Sequence, residues 1–203
     1  MSTDHHFTNV KVTPGFHFQE RELAAQLFWQ AFRGKLGRIM WPEARALDFI
    51  ASNLDPNFAL AARDCDGNLL GLAGFKTASG ALLGGGLTEL ATSYGWFGAL
   101  WRGPILELLE RDIEPDVLLM DGIFVSSDAR GGGVGTALLD AIVDTARHLQ
   151  LSKVRLDVID SNPRARALYE REGFVEISTE SIGVLRYLMK FRTSTRMQRS
   201  IVD

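Results

Sequence analysis

Apolar and polar positions along this chain separate into distinct periodic segments. Thr8 to Thr13 alternates weakly and predicts a first strand. From Glu20 to Arg33, Leu23, Leu27, Phe28, Ala31 and Phe32 fall on one side of a helix, with Gly34 as its C-terminal cap. Pro42 opens a second helix, whose apolar side holds Ala46, Leu47, Ile50 and Leu54. Phe58, Leu60 and Ala62 then alternate as a strand. Asp66-Gly67 signals a tight hairpin turn, and Leu69 to Thr77 is the returning strand.

Between Ala78 and Pro115 the pattern is less regular. Gly84, Gly85 and Gly86 form a flexible joint. Leu87 to Tyr94 and Phe97 to Arg111 read as one or two helices broken near Gly95. Trp96, Phe97, Leu100 and Trp101 concentrate bulky apolar surface there. Two readings stand: a helix packed on a sheet, or a lid or dimer surface rich in aromatic residues.

From Val117 the signal sharpens. Val117 to Val125 is almost continuously apolar, as for a buried central strand. A polar, glycine-rich loop spans Ser126 to Gly133. A helix from Val134 to Leu149 follows, with Val134, Leu138, Ile142, Ala146 and Leu149 on one face. Lys153 to Ile159 is the next strand. Asn162 caps a short helix that begins at Pro163 and ends at Gly173. Phe174 to Thr179 and Ile182 to Phe191 read as closing strands. The order of elements predicts a layered α/β fold with a mixed sheet.

The 203 residues suit one domain. With 46% hydrophobic and 23% charged residues, the chain has material for a core and is not disordered by composition. A net charge of −3 argues against a nucleic-acid partner. No apolar run reaches membrane-spanning length, so no membrane partner is expected. The N-terminus lacks a secretory pattern, and Cys65 stands alone, which excludes an internal disulfide. A cytoplasmic location is the expectation. His5, His6, His17 and His148 show no ligand spacing, and no metal is expected.

Glycine is over-represented, at 20 residues where an average chain of this length has about 14. Four of them lie in Arg130-Gly131-Gly132-Gly133-Val134-Gly135-Thr136, between a buried strand and a helix. Backbone N–H groups approach an anion closely there, and the helix N-terminus adds free donors and a favourable dipole. The segment therefore suits a phosphate or pyrophosphate. It lacks the lysine of a Walker A loop, and Thr136 stands where a dinucleotide fingerprint needs its third glycine.

Arg130 to Gly135 matches instead the Arg/Gln-x-x-Gly-x-Gly/Ala loop of the GCN5-related N-acetyltransferase (GNAT) superfamily. Asn162, Ala165, Leu168, Tyr169, Gly173 and Phe174 independently match that family's Asn-x-x-Ala-x-x-Leu-Tyr-x-x-x-Gly-Phe run. The chain resembles the family over Asp116 to Phe191 and, by the order of its elements, from Thr8 onward. The resemblance implies a mixed, mostly antiparallel twisted sheet flanked by helices. It also implies a single N-acetyltransferase domain over residues 1–191, with its motif region at 116–191. Residues 192–203, carrying Arg192, Arg196 and Arg199, are expected to be a basic, frayed C-terminal tail.

The resemblance also implies roles. Gly131, Gly132, Gly133, Val134, Gly135 and Thr136, with Arg130, would cradle the pyrophosphate of acetyl-CoA. Ile123, Phe124 and Val125 would pair their backbone with its pantetheine arm, and the Val125 N–H would stabilise the oxyanion. Asn162 would contact the arm as well as cap its helix. Tyr169 would protonate the leaving thiolate. An ordinary tyrosine pKa of ~10 lies above the ~8.5 of a thiol, so the phenol holds its proton at neutral pH.

Asp121 is the polar exception inside an apolar strand. An unpaired buried carboxylate is costly. Some family members carry a general base at this position, and desolvation favours that use. The alternative is a carboxylate that pairs with an arginine or attracts a cationic acceptor. Gly122 beside it suits a strand bulge. Cys65 lies in a turn away from these residues, which favours direct attack in a ternary complex over an acetyl-cysteine route.

The expected activity is transfer of an acetyl group to a primary amine of a small molecule or peptide. A non-catalytic acyl-CoA sensor on the same fold and a protein N-terminal or lysine acetyltransferase are the alternatives. A homodimer is an expected possibility.

Overall fold

The computed structural model describes residues 10–108, 112–183, 189 and 191–201. Strand β1 (Lys11–Pro14) leads through a 3-10 turn into helices α1 (Arg21–Leu36) and α2 (Glu43–Asn53). Strands β2 (Ala59–Arg63) and β3 (Leu69–Thr77) form the predicted hairpin. Its turn is organised by Asp64, whose carboxylate accepts from the Asp66 and Asn68 backbone and from the Asn68 side chain. A two-residue strand β4 (Gly80–Ala81) folds back on β3, and α3 (Leu87–Leu108) follows. Then come β5 (Val117–Val125), α4 (Val134–His148), β6 (Lys153–Ile159), α5 (Pro163–Arg171), β7 (Val175–Ser181) and β8 (Thr193–Ser200).

The main strand order is β1-β2-β3-β5-β6-β8-β7, and β4 joins β3 at the side. Among the described residues, only β5 and β6 run parallel; the other neighbours are antiparallel. Two cores cover the two faces. α1, α2 and α3 bury Ala24, Phe28, Ile50, Leu90 and Tyr94 on one side. α4 and α5 bury Leu138, Leu139, Ile142 and Tyr169 on the other.

Several expectations shift in detail. Gly34 lies inside α1, which runs on to Leu36; the cap is Gly37, whose N–H donates to the Arg33 carbonyl at 2.9 Å. Leu36 packs against the core, and this offsets the roughly 1 kcal/mol cost of a helical glycine. The buried face of α1 is also turned from the predicted one. Ala24, Ala25, Leu27, Phe28 and Trp29 are buried, whereas Leu23 and Ala31 are exposed. Phe58 belongs to a 3-10 turn before β2, and Leu149 falls beyond α4 and is exposed. The predicted break near Gly95 is real: its φ of 71° kinks α3. Leu90, Tyr94 and Ala99 fasten that helix to the core, and the Tyr94 hydroxyl donates to the Met40 carbonyl at 2.6 Å. Trp96, Phe97, Leu100 and Trp101 face solvent.

The larger correction concerns the end of the chain. Residues 193–200 are not a frayed tail; they form β8, inserted between β6 and β7. The predicted strand Ile182 to Phe191 does not contain it: Ile182 and Phe191 lie outside strands, and 184–188 and 190 lie outside the described residues. β8 holds its place through Met197, fully buried, and through side-chain pairing. Thr195 Oγ1 lies 2.9 Å from Thr179 Oγ1, and Arg196 faces Asp157 and Glu180 at 3.9 Å. Among the described residues, no helix is long and apolar enough to cross a membrane.

Candidate active site

The sheet opens at one place. β5 and β6 pair at Val117, Leu118, Leu119 and Met120 against Lys153, Val154, Arg155 and Leu156, and the ladder stops there. Both strands continue, β5 along β3 and β6 along β8. The β6-facing backbone edge of β5 beyond Met120 therefore has no ladder partner. The opening has a local cause. Along β3, Gly74 pairs with Gly122 and the next residue, Phe75, pairs with Met120. Asp121 is the extra residue of a bulge, which bends β5 away from β6. Gly122 supplies the space, because a Cβ there would lie 3.1 Å from the Phe124 ring and 3.3 Å from Phe32. The bulge expected beside Gly122 thus falls on Asp121 itself, whose side chain is half-buried.

Ile123, Phe124 and Val125 pair with Ala73, Leu72 and Gly71 of β3, so their β3-facing groups are occupied. Phe124 fills the core with its ring 5.3 Å from Phe28 and 5.6 Å from Phe32. The side chains are structural here, and any ligand role belongs to backbone groups on the other edge.

The glycine loop follows directly. Gly131 and Gly133 hold φ of 84° and 83°, left-handed values that favour glycine. A Cβ on either would meet nothing within 4 Å, so the loop surface is open and the demand for glycine is conformational. Gly133 caps α4, whose first-turn N–H groups have no intrahelical acceptors and point out at the loop. Gly132 is buried, its N–H 3.4 Å from the Ala129 carbonyl. Gly135 has a second use: a Cβ there would sit 3.1 Å from Leu168, so it lets α4 approach α5. Gly133→Ala should destabilise the fold by about 1–2 kcal/mol through backbone strain alone. Urea unfolding measures this, and unchanged stability would contradict the left-handed conformation.

Arg130 is exposed, and its Nε donates to the Val125 carbonyl at 3.2 Å, tying the loop to the end of β5. Thr136, expected at the phosphates, donates its hydroxyl to Glu172 at 3.2 Å and so joins α4 to the end of α5. Asn162 is the N-cap of α5, its Oδ1 accepting from the Ala165 N–H at 3.3 Å. Tyr169 is buried on α5 with its ring 6.0 Å from Phe174. Burial pushes its phenol up to about 12, so it stays protonated through the physiological range.

Sequence reasoning missed three charged residues beside the opening. Arg155 and Asp157 alternate with Val154, Leu156 and Val158 on β6, and Arg196 lies on β8. Arg155 is buried against Glu114 and donates to the Asp112 carbonyl at 2.8 Å. The signal was present: charges at alternate positions of an apolar strand, the same signal that marks Asp121. Cys65 is exposed, in the turn before β3. His17 and His148 lie apart, on a 3-10 turn and at the end of α4. His5 and His6 lie outside the described residues. Among the described residues, no group of three or more His, Cys, Asp or Glu is placed to hold a metal.

Comparison with known proteins bears on this geometry. Residues 22–174 match the model of the acetyltransferase (GNAT) family. A 57-residue stretch is 40% identical to a mycothiol acetyltransferase of Beutenbergia cavernae, covering 28% of this chain and 19% of that protein. A 61-residue stretch is 41% identical to a 5-NmdU N-acetyltransferase of Pseudomonas phage PaMx11, covering 30% of this chain and 41% of that one. The matched stretches thus span less than half the length of these relatives. In fold, a GCN5-related N-acetyltransferase from Kribbella flavida superposes with a TM-score of 0.62 at 17% identity, over 94% of this chain and 97% of that one. An N-acetyltransferase from Staphylococcus aureus Mu50 gives 0.63 at 15% identity, over 93% and 100%. The family model covers well over half of the chain, and solved structures of the same fold superpose over nearly all of it; the chain belongs to the GNAT family of acetyltransferases.

Proposed function

We propose that this protein transfers an acetyl group from acetyl-CoA to a primary amine, by direct attack in a ternary complex. The observation that carries this reading is the end of the β5–β6 ladder at Met120 and Leu156, beside an open glycine loop at the N-terminus of α4. The residues fit the cosubstrate. Gly131 to Thr136 and Arg130 would hold its pyrophosphate through N–H groups, helix dipole and charge. The free edge of β5 at Ile123 to Val125 would pair with the amides of the pantetheine arm. Asn162 would contact the arm from the start of α5.

The two proton carriers would flank the opening. Tyr169 belongs to the core under α4. Asp121 is the bulge residue of β5, half-buried just past the last rung of the β5–β6 ladder. A thioester threaded between β5 and β6 would meet the acid and the amine there. Asp121 takes a proton from the acceptor ammonium. The freed nitrogen attacks the thioester carbonyl carbon, and the Val125 N–H stabilises the oxyanion. The C–N bond forms, the C–S bond breaks, and Tyr169 protonates the departing sulfur. The ammonium gives up two protons in all: one replaces the proton that Tyr169 delivers to the thiol, and one is released to water.

The test is thiol release from acetyl-CoA across amino acids, polyamines, aminoglycosides and peptides, with mass detection of the acetylated product. Release that depends on an amine supports transfer. Acetyl-CoA binding without release from any amine would favour a sensor.

A further inference from the structure

Helix α3 is apolar on two sides. Its inner side, with Leu90, Tyr94 and Ala99, packs on the core. Its outer side carries Trp96, Phe97, Leu100 and Trp101, whose spacing of one and four residues makes one continuous stripe. Trp41, on the connection between α1 and α2, adjoins it through Arg102. Trp96 and Leu100 are each 72% exposed, Phe97 93%, Trp101 46% and Trp41 65%. Three of the chain's four tryptophans thus stand in water at one place. A helix that is apolar all round is ordinarily covered all round.

The face is held rigid. Arg102 donates from Nε to the Ile39 carbonyl at 2.8 Å, from Nη2 to the Trp41 carbonyl at 3.0 Å and from Nη1 to the Gly98 carbonyl at 3.2 Å. Its guanidinium lies 4.2 Å from the ring centres of both Tyr94 and Trp101. Gly98 makes the room: a Cβ there would lie 2.8 Å from Tyr94 Cβ and 3.1 Å from Arg102 Nη1. Groups fixed before association lose less entropy when they are covered.

Area and charge indicate the occupant. At roughly 200 Å² for a whole aromatic side chain, the four exposed aromatics leave about 550 Å² of apolar surface in water, and Leu100 adds to it. The largest apolar patch on a monomer is ordinarily about 300–600 Å², and one partner's share of a stable interface is about 800 Å². The stripe alone supplies most of what a stable dimer needs. No charged residue occurs from Leu90 to Trp101, as in the centre of an interface. The last turn of α1, its connection to α2, α2 itself and α3 carry both signs in near balance: Arg33, Lys35, Arg38, Arg45 and Arg102 against Glu43, Asp48, Glu89 and Glu107. An anionic lipid surface calls for a basic surplus, and a strongly charged partner for a surplus of one sign. A second copy needs neither. An uncharged centre meets itself without repulsion, and a rim of both signs can face its own image across a two-fold axis.

We infer that the outer face of α3, together with Trp41, is the interface of an isologous homodimer. The pairing is independent of acetyl transfer, and its test needs no activity.

Sedimentation equilibrium of the full chain compares the wild type with Phe97→Glu, Leu100→Glu and Phe18→Glu. The wild type should be dimeric at about 10 μM and above. Phe97→Glu and Leu100→Glu should each raise the dissociation constant about 100-fold or more, because each places a carboxylate twice in a desolvated centre. Both side chains lie in water in the single chain, so neither substitution should disturb its fold, which circular dichroism checks. Phe18 is a similarly bare aromatic ahead of α1, whereas the stripe lies beyond the other end of that helix, so Phe18→Glu should leave the dimer intact. Tryptophan emission should move to shorter wavelength as the wild type is concentrated, and should stay unchanged in Phe97→Glu. A wild type that stays monomeric to about 100 μM, a dimer that survives both α3 substitutions, or one lost equally in Phe18→Glu overturns the inference. A monomer that sediments with phosphatidylcholine–phosphatidylserine vesicles, and no longer does so as Phe97→Glu, also overturns it and assigns the face to a membrane.

Discussion

Tyr169→Phe should lower kcat about 100-fold while leaving acetyl-CoA affinity within about twofold, the size of effect general acid catalysis supplies. The substitution keeps the ring that packs on Phe174 and removes only the hydroxyl, so the fold should be little changed. The loss should shrink for a donor whose leaving thiol is more acidic, because such a thiolate departs without a proton. The phenol also predicts a pH dependence. Burial raises its pKa to about 12, so it remains an acid across the working range. An alkaline fall in kcat below about pH 10 must therefore come from another group. The sign for stability follows: the neutral phenol's contribution is fully present below the unfolded value of ~10 and is lost as pH rises toward 12. Stopped-flow thiol release with the two donors, across pH, checks each point. Equal losses with both donors would remove Tyr169 from the acid role.

Asp121→Asn should lower kcat/KM at neutral pH by about 100-fold or more, the effect of losing a general base. The profile should also change shape. Without a base in the protein, the rate follows the fraction of acceptor already deprotonated in solution. That fraction rises about tenfold per pH unit until the amine pKa, near 10 for an alkylamine. The variant should thus recover steadily toward alkaline pH, and the wild type should not. A variant profile parallel to that of the wild type would assign Asp121 to charge attraction rather than proton removal.

These residues show what the sequence makes legible. β5 reads at its true limits because a nine-residue apolar run admits little else, and Asp121 and Gly122 stand out within it. The loop reads through Gly131 and Gly133, which the backbone uses at φ values that disfavour other residues. Hidden from the sequence was whatever depends on partners distant along the chain. β8 carries Met197 as its one large apolar side chain and is held by Arg196 and Thr195 against other strands, so it looks like solvated chain. The face of α1 was misjudged because Trp29 and the small Ala24 and Ala25 turn inward while Leu23 does not. Thr136 directly follows the loop motif in sequence, yet its hydroxyl is bonded to Glu172, which only the packing of α5 reveals.

Acetyl transfer requires acetyl-CoA to occupy the opening between β5 and β6. Calorimetric titration of acetyl-CoA into the full chain tests this most directly, with thermal unfolding alongside. Saturable one-to-one binding is expected, with a stabilisation of about 2.7 kcal/mol at a hundredfold excess over the dissociation constant. Absence of binding heat together with an unchanged melting temperature would contradict it.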